Sequence, residues 1–599
     1  MNNPWNGKAV LEAFWWNVDD ATYKGDWYTY LAKLTPRLAA LGFDGIWTPP
    51  PCKDTNAQYM GYTPLDYYDL GQKNQSFGVG TRFGTQDAFL RLVAVAHANG
   101  LEVYPDIVLD HCGGGAPDPS SPFKDPQHNY TLIQPLGFAG SGTGRWPRNW
   151  LDFHMNPVHW NGTGDWTASN GGPDFCYQGR CSDSGNANQN AASRQNARDW
   201  FTWFVRQTGV DGFRFDDVKG YPPEVVEDLL YNAMGDRREY FCVGEFVTSN
   251  SGDVDAWAQG TSDRSGTFDY PLRFELGNLV ATNGYYDVGH LPAVQQQDRF
   301  KTVPFVNNHD NHDSQVGSYI DPQNPRTALA YAFAVAIDGS PQFYFPDLFT
   351  NWWASATAAG LATRPWVTNL LWCHQKLAFK SGSYLVRYQG SQQLLILERG
   401  GRAIIAINND GSAWHSAWIA TAFAPGTQLH DYSGSRPDDI WTNQDGWVDI
   451  AVPPLSYSVW GPAGITGGFS PSPRRTVQQF EMDDDLGDAS AGSPGYGGKA
   501  VAGAFRSAGS IWPAPGSAVN LFVYSDTPQQ VDVQVSLPGN PPVLAISGSS
   551  TPTVPFAASF NASREGFHLL QARLSDARAA AARLYVKVEY SGPATSELF

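Results

Sequence analysis

The sequence predicts a (β/α)8 barrel with an irregular domain inserted after its third strand, followed by two antiparallel β-sandwich domains. Three observations carry this. Short apolar runs recur through residues 9–345, several of them ending at Asp or Pro. Segments with apolar residues three and four apart lie between them, the spacing of amphipathic helix. After about residue 381 the text changes to alternating apolar and polar runs bounded by Gly, Asn and Asp, which read as antiparallel strands.

In chain order the runs are Ala9–Trp15, Gly45–Pro50, Val103–Asp110, Gly212–Asp216, Phe241–Phe246, the weaker Gly266–Leu272, Thr302–Asn307 and Pro341–Phe345. Helical spacing is clearest over Gln86–Ala98 and Ala192–Thr208. Strands alternating with helices imply a parallel sheet, and eight of them allow a closed barrel whose chemistry sits at the C-terminal ends of the strands. The barrel is expected over 1–111 and 191–375. Residues 112–190, rich in Gly, Asn, Pro and Ser, are too long for an ordinary βα loop and read as an inserted domain. A β-sandwich is expected over 376–462, with strands at Tyr384–Tyr388, Leu394–Leu397 and Ala403–Ile407. A Gly/Pro/Ser linker covers 463–473. A further β-domain over 474–599 has strands at Val519–Tyr524, Val531–Leu537 and Ala581–Tyr590, and is a candidate carbohydrate-binding domain through exposed aromatics such as Trp512. The acidic run Phe480–Asp488 reads as a calcium loop or a solvated turn.

Composition narrows the partners. With 58 acidic against 40 basic residues the formal charge is -18, which repels phosphate backbones and anionic lipid, so neither nucleic acid nor a membrane surface is an expected partner. No apolar stretch is long enough to span a bilayer. Met1–Trp5 has no basic or apolar leader character, so an export signal was removed or never existed. Aromatics make up 14% of the chain, with 22 Trp and 27 Tyr, and flat apolar faces with polar rims suit sugars. Six cysteines are too few for a disulfide scaffold; Cys52, Cys112, Cys242 and Cys373 lie in or beside apolar patterns and read as buried thiols.

Three carboxylates close three barrel strands: Asp216, Glu245 and Asp310. Arg214, two residues before Asp216 and on the same face of its strand, favours the ionised carboxylate. Glu245, among other carboxylates in a partly dry cleft, is expected to hold a proton. An ionised carboxylate beside a protonated one is the equipment of a retaining glycosidase. His111 and His309 end the third and seventh strands, where a neutral imidazole N–H can hold sugar hydroxyls.

The segments Asp106–His111 (DIVLDH), Gly212–Lys219 (GFRFDDVK), Val243–Phe246 (VGEF) and Phe305–Asp310 (FVNNHD) resemble, in order and spacing, the four signature regions of the α-amylase family, glycoside hydrolase family 13. The likeness covers about residues 8–462. It implies Asp216 as nucleophile, Glu245 as general acid/base and Asp310 as the residue that binds and distorts the sugar. His111, His309 and Arg214 carry over as binding and supporting residues, Tyr62 as the stacking platform and Lys219 as a contact on the reducing-end side. Lys219-Gly220-Tyr221, where many members have Lys-His, is similar to the plant and archaeal branch. So are Leu151–His154 and Pro173–Cys176.

The resemblance also implies Ca²⁺ between the inserted domain and the barrel, held by Asp110, Asp165, Asp174 and the carbonyls of Thr167 and Gly220. Position 110 is usually Asn in the family, and the extra charge of Asp should tighten binding. His154, His159 and Cys176 resemble a Zn²⁺ site of the thermococcal branch; the rival is a Cys176–Cys181 disulfide. The expected activity is an endo-acting, retaining α-1,4-glucan hydrolase on starch and maltooligosaccharides, secreted and monomeric. The alternatives are an α-glucan transglycosylase or maltooligosaccharide-forming amylase using the same acids, and a non-catalytic glucan-binding protein, which should lack at least one of them.

Overall fold

A computed structural model describes residues 7–18, 26–113, 116–117, 131–132, 145–146, 148, 152, 175, 177, 191–235, 240–294, 301–353, 358–481, 499–500, 505–576 and 582–594. Eight parallel strands form one sheet: β1 (Val10–Glu12), β2 (Gly45–Thr48), β3 (Glu102–Ile107), β4 (Gly212–Phe215), β5 (Phe241–Gly244), β6 (Gly266–Phe268), β7 (Thr302–Val303) and β8 (Gln342–Tyr344). Their order is 7-6-5-4-3-2-1-8. Between the two ends of that series, Ser340 N–H donates to Thr302 O at 3.0 Å and Gln342 N–H to Pro304 O at 2.9 Å, which joins β7 to β8. This is the predicted TIM barrel, and each predicted run contains its strand except that β3 begins one residue earlier, at Glu102. The runs are buried through their length because both faces of such a sheet are covered.

The chain divides into two compact units. One comprises Met1–Trp16, Arg37–Trp47 and Arg238–Ser470, the other Asn17–Pro36, Thr48–Arg237 and Pro471–Phe599.

The first unit carries a two-sheet β-domain. Strands β9 (Tyr384–Tyr388), β10 (Leu394–Arg399), β11 (Ala403–Asn408), β12 (His415–Ala420), β13 (Gln428–Asp431), β14 (Ile440–Trp441), β15 (Trp447–Val452) and β16 (Ser456–Pro462) form a six-stranded sheet, 9-10-11-16-13-14, and a two-stranded ribbon, 12-15. Their inner faces share a core of Leu394, Ile396, Ile404, Ile419, Val448, Ile450 and Trp460. The following Gly/Pro/Ser stretch is fixed in place. Trp372 Nε1–H donates to Gly467 O at 2.9 Å, and the Phe469 ring lies where a Cβ on Gly42, at φ +103°, would be 2.6 Å away.

In the second unit, α1 (Trp27–Leu41) begins, and α2 (Gln86–Ala98) and α3 (Ala191–Thr208) lie wholly within it. Thr85 caps α2, its hydroxyl accepting from Ala88 N–H at 3.2 Å. All of α2 except Asp87 is buried, including Arg91 and His97 on its less apolar side. The final β-domain covers its outer face. Strands β17 (Thr476–Glu481), β18 (Lys499–Ala500), β19 (Arg506–Ile511), β20 (Ala518–Ser525), β21 (Gln529–Ser536), β22 (Pro542–Ser550), β23 (Phe556–Asn561), β24 (His568–Leu574) and β25 (Ala582–Tyr590) form a five-stranded sheet, 17-25-20-23 with β18 also on β25, and a four-stranded sheet, 19-24-21-22. Leu90 and Ala94 of α2 enter the core of this domain with Phe480, Ile511, Val523, Val533 and Val586. A polar knot adds to the joint. Asp211 accepts from His97 Nε2 at 3.0 Å, Arg474 Nη2 at 2.6 Å and Val103 N–H at 2.9 Å, while His97 Nδ1 meets Thr476 Oγ1 at 2.9 Å.

This docking corrects one expectation. Trp512 is buried, its Nε1–H donating to Glu565 at 3.0 Å, with the Arg91 guanidinium over the ring; it is a packing residue and not an exposed sugar platform. Of the acidic run, Phe480 is core and Glu481 pairs with Arg145 at 3.1 Å; the rest lies outside the described residues. Cys52, Cys112, Cys242 and Cys373 are buried free thiols as expected, and burial pushes Cys112 up to about 12.

Candidate active site

Strands β3 and β4 pair in parallel with Asp106 beside Arg214, so a carboxylate and a guanidinium share one face at the strand ends. Arg214 Nη1 donates to Asp106 Oδ1 at 2.8 Å and to Asp216 Oδ1 at 2.5 Å. The guanidinium is 1% exposed, and in so dry a setting its charge favours the carboxylate form of Asp216. Directly beyond, Asp217 takes a left-handed φ of +33°, and a turn closes with Gly220 N–H on Asp217 O at 3.0 Å.

Tyr62 reaches the same cluster, its hydroxyl donating to Asp106 Oδ2 at 2.8 Å and its ring lying under Arg214. The loop that holds it is organised by Asp54, a buried carboxylate accepting the N–H groups of Gly61 at 3.0 Å and Thr63 at 3.3 Å. Gly61 has φ +91°, and a Cβ there would lie 2.8 Å from Pro50, so only glycine fits. Burial pushes the Asp106 carboxyl up; Arg214 pulls it back and Asp216 pushes it up again, to about 7.

His111, expected to offer an imidazole N–H to sugar, is engaged at both ring nitrogens. Nδ1 meets Asp110 Oδ2 at 3.0 Å and Nε2 meets the Tyr62 carbonyl at 2.6 Å. A carboxylate and a carbonyl on either side favour the doubly protonated ring. Burial opposes the resulting charge, but Asp110 outweighs it and pushes His111 up to about 9.

In the other unit, Glu245 follows β5 immediately and accepts from the Tyr270 hydroxyl at 3.2 Å. Tyr270 in turn accepts from Asn308 Nδ2 at 3.3 Å. Gly244 is required by packing, since a Cβ would meet the Trp257 ring at 2.5 Å. Asn308 caps a short helix, His309–His312, by reciprocal bonds with Asn311 at 3.0 and 3.1 Å, which fixes the backbone of His309 and Asp310. His309 Nδ1 donates to Glu12 Oε1 at 2.7 Å, its backbone N–H bonds the same oxygen at 3.1 Å, and Nε2 faces Asp310 Oδ1 at 3.4 Å. The half-buried Trp16 stacks on the imidazole with ring centroids 5.6 Å apart. Glu12 also accepts from Gln342 at 2.9 Å.

Of the predicted site residues, Tyr62, Arg214 and Asp216 form one bonded cluster around Asp106, with His111 attached through Tyr62. In the other unit His309 faces Asp310, and Glu245 connects to their loop through Tyr270 and Asn308. Lys219 is half-buried. The sequence reading missed Glu12, Asp54 and Asp106 as organising carboxylates. A signal existed for Glu12 in Val10-Leu11-Glu12-Ala13-Phe14, a charge inside an apolar strand, which has to be paired.

For the expected Ca²⁺, Asp110 and Gly220 fit. Asp110 is fully buried, its Oδ1 has no hydrogen-bond partner, and a Cβ on Gly220 would lie 1.5 Å from that oxygen. A lone carboxylate oxygen pressed on backbone is suited to a hard cation. Asp165, Thr167, Asp174, His154, His159, Cys176 and Cys181 lie outside the described residues, and among the described residues no three His, Cys, Asp or Glu side chains gather as a metal centre.

Comparison with known proteins settles the family. The profile of the α-amylase catalytic domain matches residues 14–347, and that of the α-amylase C-terminal domain matches 403–461. The chain belongs to the α-amylase family. As such it is an α-amylase-like glycoside hydrolase. It is 26% identical over 499 residues to the α-amylase of Geobacillus stearothermophilus, covering 77% of this chain and 88% of that one. It is likewise 26% identical over 501 residues to the glucan 1,4-α-maltohexaosidase of Bacillus sp. (strain 707), covering 77% and 93%. An α-amylase structure from Malbranchea cinnamomea superposes with a TM-score of 0.59 at 18% identity, covering 77% and 98%, which speaks to the fold alone. Among the described residues, no helix is long and apolar enough to cross a membrane.

Proposed function

We propose that this α-amylase family member is an endo-acting hydrolase of α-1,4 bonds in starch and maltooligosaccharides, working with retention through a covalent glycosyl-enzyme. The observation that carries the reading is the buried Arg214–Asp216 bond at 2.5 Å, which keeps a carboxylate ionised at the end of β4, next in sheet order to the strand that Glu245 ends. Asp216 attacks the anomeric carbon as Glu245 gives its proton to the departing glycosidic oxygen. Glu245 then takes a proton from water, whose oxygen displaces Asp216 and restores the original configuration. Asp310 holds the distorted ring, Tyr62 stacks on it, and His309 and Lys219 bind hydroxyls around it. His111, with one ring nitrogen on Asp110 and the other on the Tyr62 carbonyl, supports the sugar site by fixing Tyr62.

Asp110 and the Gly220 carbonyl would hold Ca²⁺ together with oxygens of the inserted domain. The ion would tie that segment to the barrel beside His111. A polymer too large to cross a membrane puts the work outside the cell, and the chain is proposed to act as a monomer. The test is a time course on soluble starch with NMR of the first-formed anomer. Mixed short oligosaccharides with the α-configuration are expected. First release of the β-anomer, a single product cut from chain ends, or chains longer than a maltooligosaccharide substrate would each overturn the reading.

A further inference from the structure

The domain built from β9–β16 turns indoles towards solvent. Its exposed large apolar side chains are Val386 and four tryptophans: Trp414, Trp418, Trp441 and Trp447. Leaving such rings in water forfeits the stabilisation of burying them, and clustered exposed apolar surface marks a place of binding.

Strand register gathers two of them. In the ribbon of β12 and β15, Trp418 lies opposite Asp449 and Ala420 opposite Trp447. Residues directly opposed share a face, as do residues two apart along a strand. Ile419, Val448, Ile450 and Val452 point the other way into the core. Trp418 and Trp447 are therefore diagonal neighbours on the outward face, 61% and 43% exposed. Ser416 and Ala420 beside them are exposed and small, so nothing bulky shields the rings. Asp449 shares their face and is partly exposed, which sets a carboxylate beside the rings.

We propose that Trp418 and Trp447 form a second carbohydrate-binding surface, separate in sequence from the catalytic acids, which stacks against the glucose rings of an α-glucan. That the sugar is an α-glucan rests on the function proposed above. The occupant follows from the chemistry of the face. A glucose ring presents C–H groups on its faces and hydroxyls at its rim, matching an indole face with an acidic acceptor at its edge. Anionic partners meet a chain of charge -18 and a carboxylate at the platform itself. A second protein is a poor fit, because two indoles bury at most about 500 Å² where a stable interface takes about 800 Å² from each partner.

The full-length Trp418→Ala/Trp447→Ala variant is compared with its parent for adsorption to granular starch and for retardation in native gels containing amylopectin, with microcrystalline cellulose as control. Hydrolysis of maltoheptaose is measured alongside. Adsorption is expected to weaken by about tenfold or more with both rings gone, while maltoheptaose turnover and melting temperature stay at parental values. The Phe pair, which keeps flat rings, should recover part of the adsorption. Equal adsorption of parent and Ala variant would overturn the proposal. So would no adsorption by the parent, or a change confined to self-association in sedimentation. Loss of adsorption in a protein that cleaves no soluble glucan would uphold this surface and overturn the catalytic reading instead.

Discussion

Replacing Arg214 by Met tests the electrostatic core of the site. The guanidinium is 1% exposed and bonds Asp106 and Asp216 at 2.8 and 2.5 Å; Met keeps much of the stem volume and removes the charge together with its donors. Taking one partner from a buried ion pair costs about 3–5 kcal/mol. The escape from that cost is protonation. Burial already pushes Asp106 to about 7 against the pull of Arg214, and without the arginine it rises further. A carboxyl whose pKa is raised by folding stabilises the fold below its ordinary value, and that contribution disappears as pH climbs through the folded value. The gap in melting temperature between wild type and variant should therefore be small at pH 5 and widen by pH 8, to about 6 °C or more at ~2 °C per kcal/mol. With Asp216 no longer held ionised, kcat/KM on maltoheptaose should fall by about a thousandfold, while Arg214→Lys, charged but without the fork, falls in between. Thermal melts and kcat/KM from pH 4 to 9 read both effects. A melting gap that does not change with pH, together with kcat/KM within tenfold of wild type, would refute the reasoning.

Three further outcomes follow from other parts of the structure. Glu12→Gln removes the charge that accepts two His309 donors, and loss of such charge-assisted bonds, at about 1.5–3 kcal/mol, should lower both the melting temperature and kcat/KM; an unchanged kcat/KM would separate Glu12 from the site. Chelation should lower the melting temperature, since a cation at a hundred times its Kd contributes about 2.7 kcal/mol, and Asp110→Ala should abolish the response measured by scanning calorimetry. Burial would raise Asp211, but His97 and Arg474 hold it well below the usual carboxylate range, so its stabilisation is present above about pH 4 and fades in stronger acid; Asp211→Asn should cost about 2 kcal/mol at pH 7 and less at pH 3, read by urea melts at the two pH values.

The barrel was legible because its strands are buried on both faces and announce themselves as apolar runs; even the weak Gly266–Leu272 run contains β6. Helix α2 fell at its predicted bounds, Gln86–Ala98, because a Thr cap and unbroken helix formers define it locally. Its burial on every side, where the sequence suggested an amphipathic helix, has its cause some 400 residues away in strands that only folding brings near. Of the three acids proposed for catalysis, Asp216 and Glu245 directly follow their strands as the sequence suggested, while Asp310 lies in the short helix His309–His312 beyond β7. Their organisers were not legible: Glu12, Asp54 and Asp106 act on residues from other elements, and no local spacing encodes such a pairing. Trp512 and Trp418 make the same point in reverse. Each is a tryptophan in a β-domain, and whether a neighbour covers the ring is a tertiary fact, although the alternation of Trp418 with Ile419 in β12 already placed one of them opposite the core.

The most direct measurement is to trap the intermediate. A maltooligosaccharyl fluoride deactivated at the ring should accumulate as a covalent adduct, and peptide mass spectrometry should place the added mass on Asp216. An adduct on any other residue, or turnover of natural substrate with no adduct at any concentration, would contradict Asp216 as the attacking group.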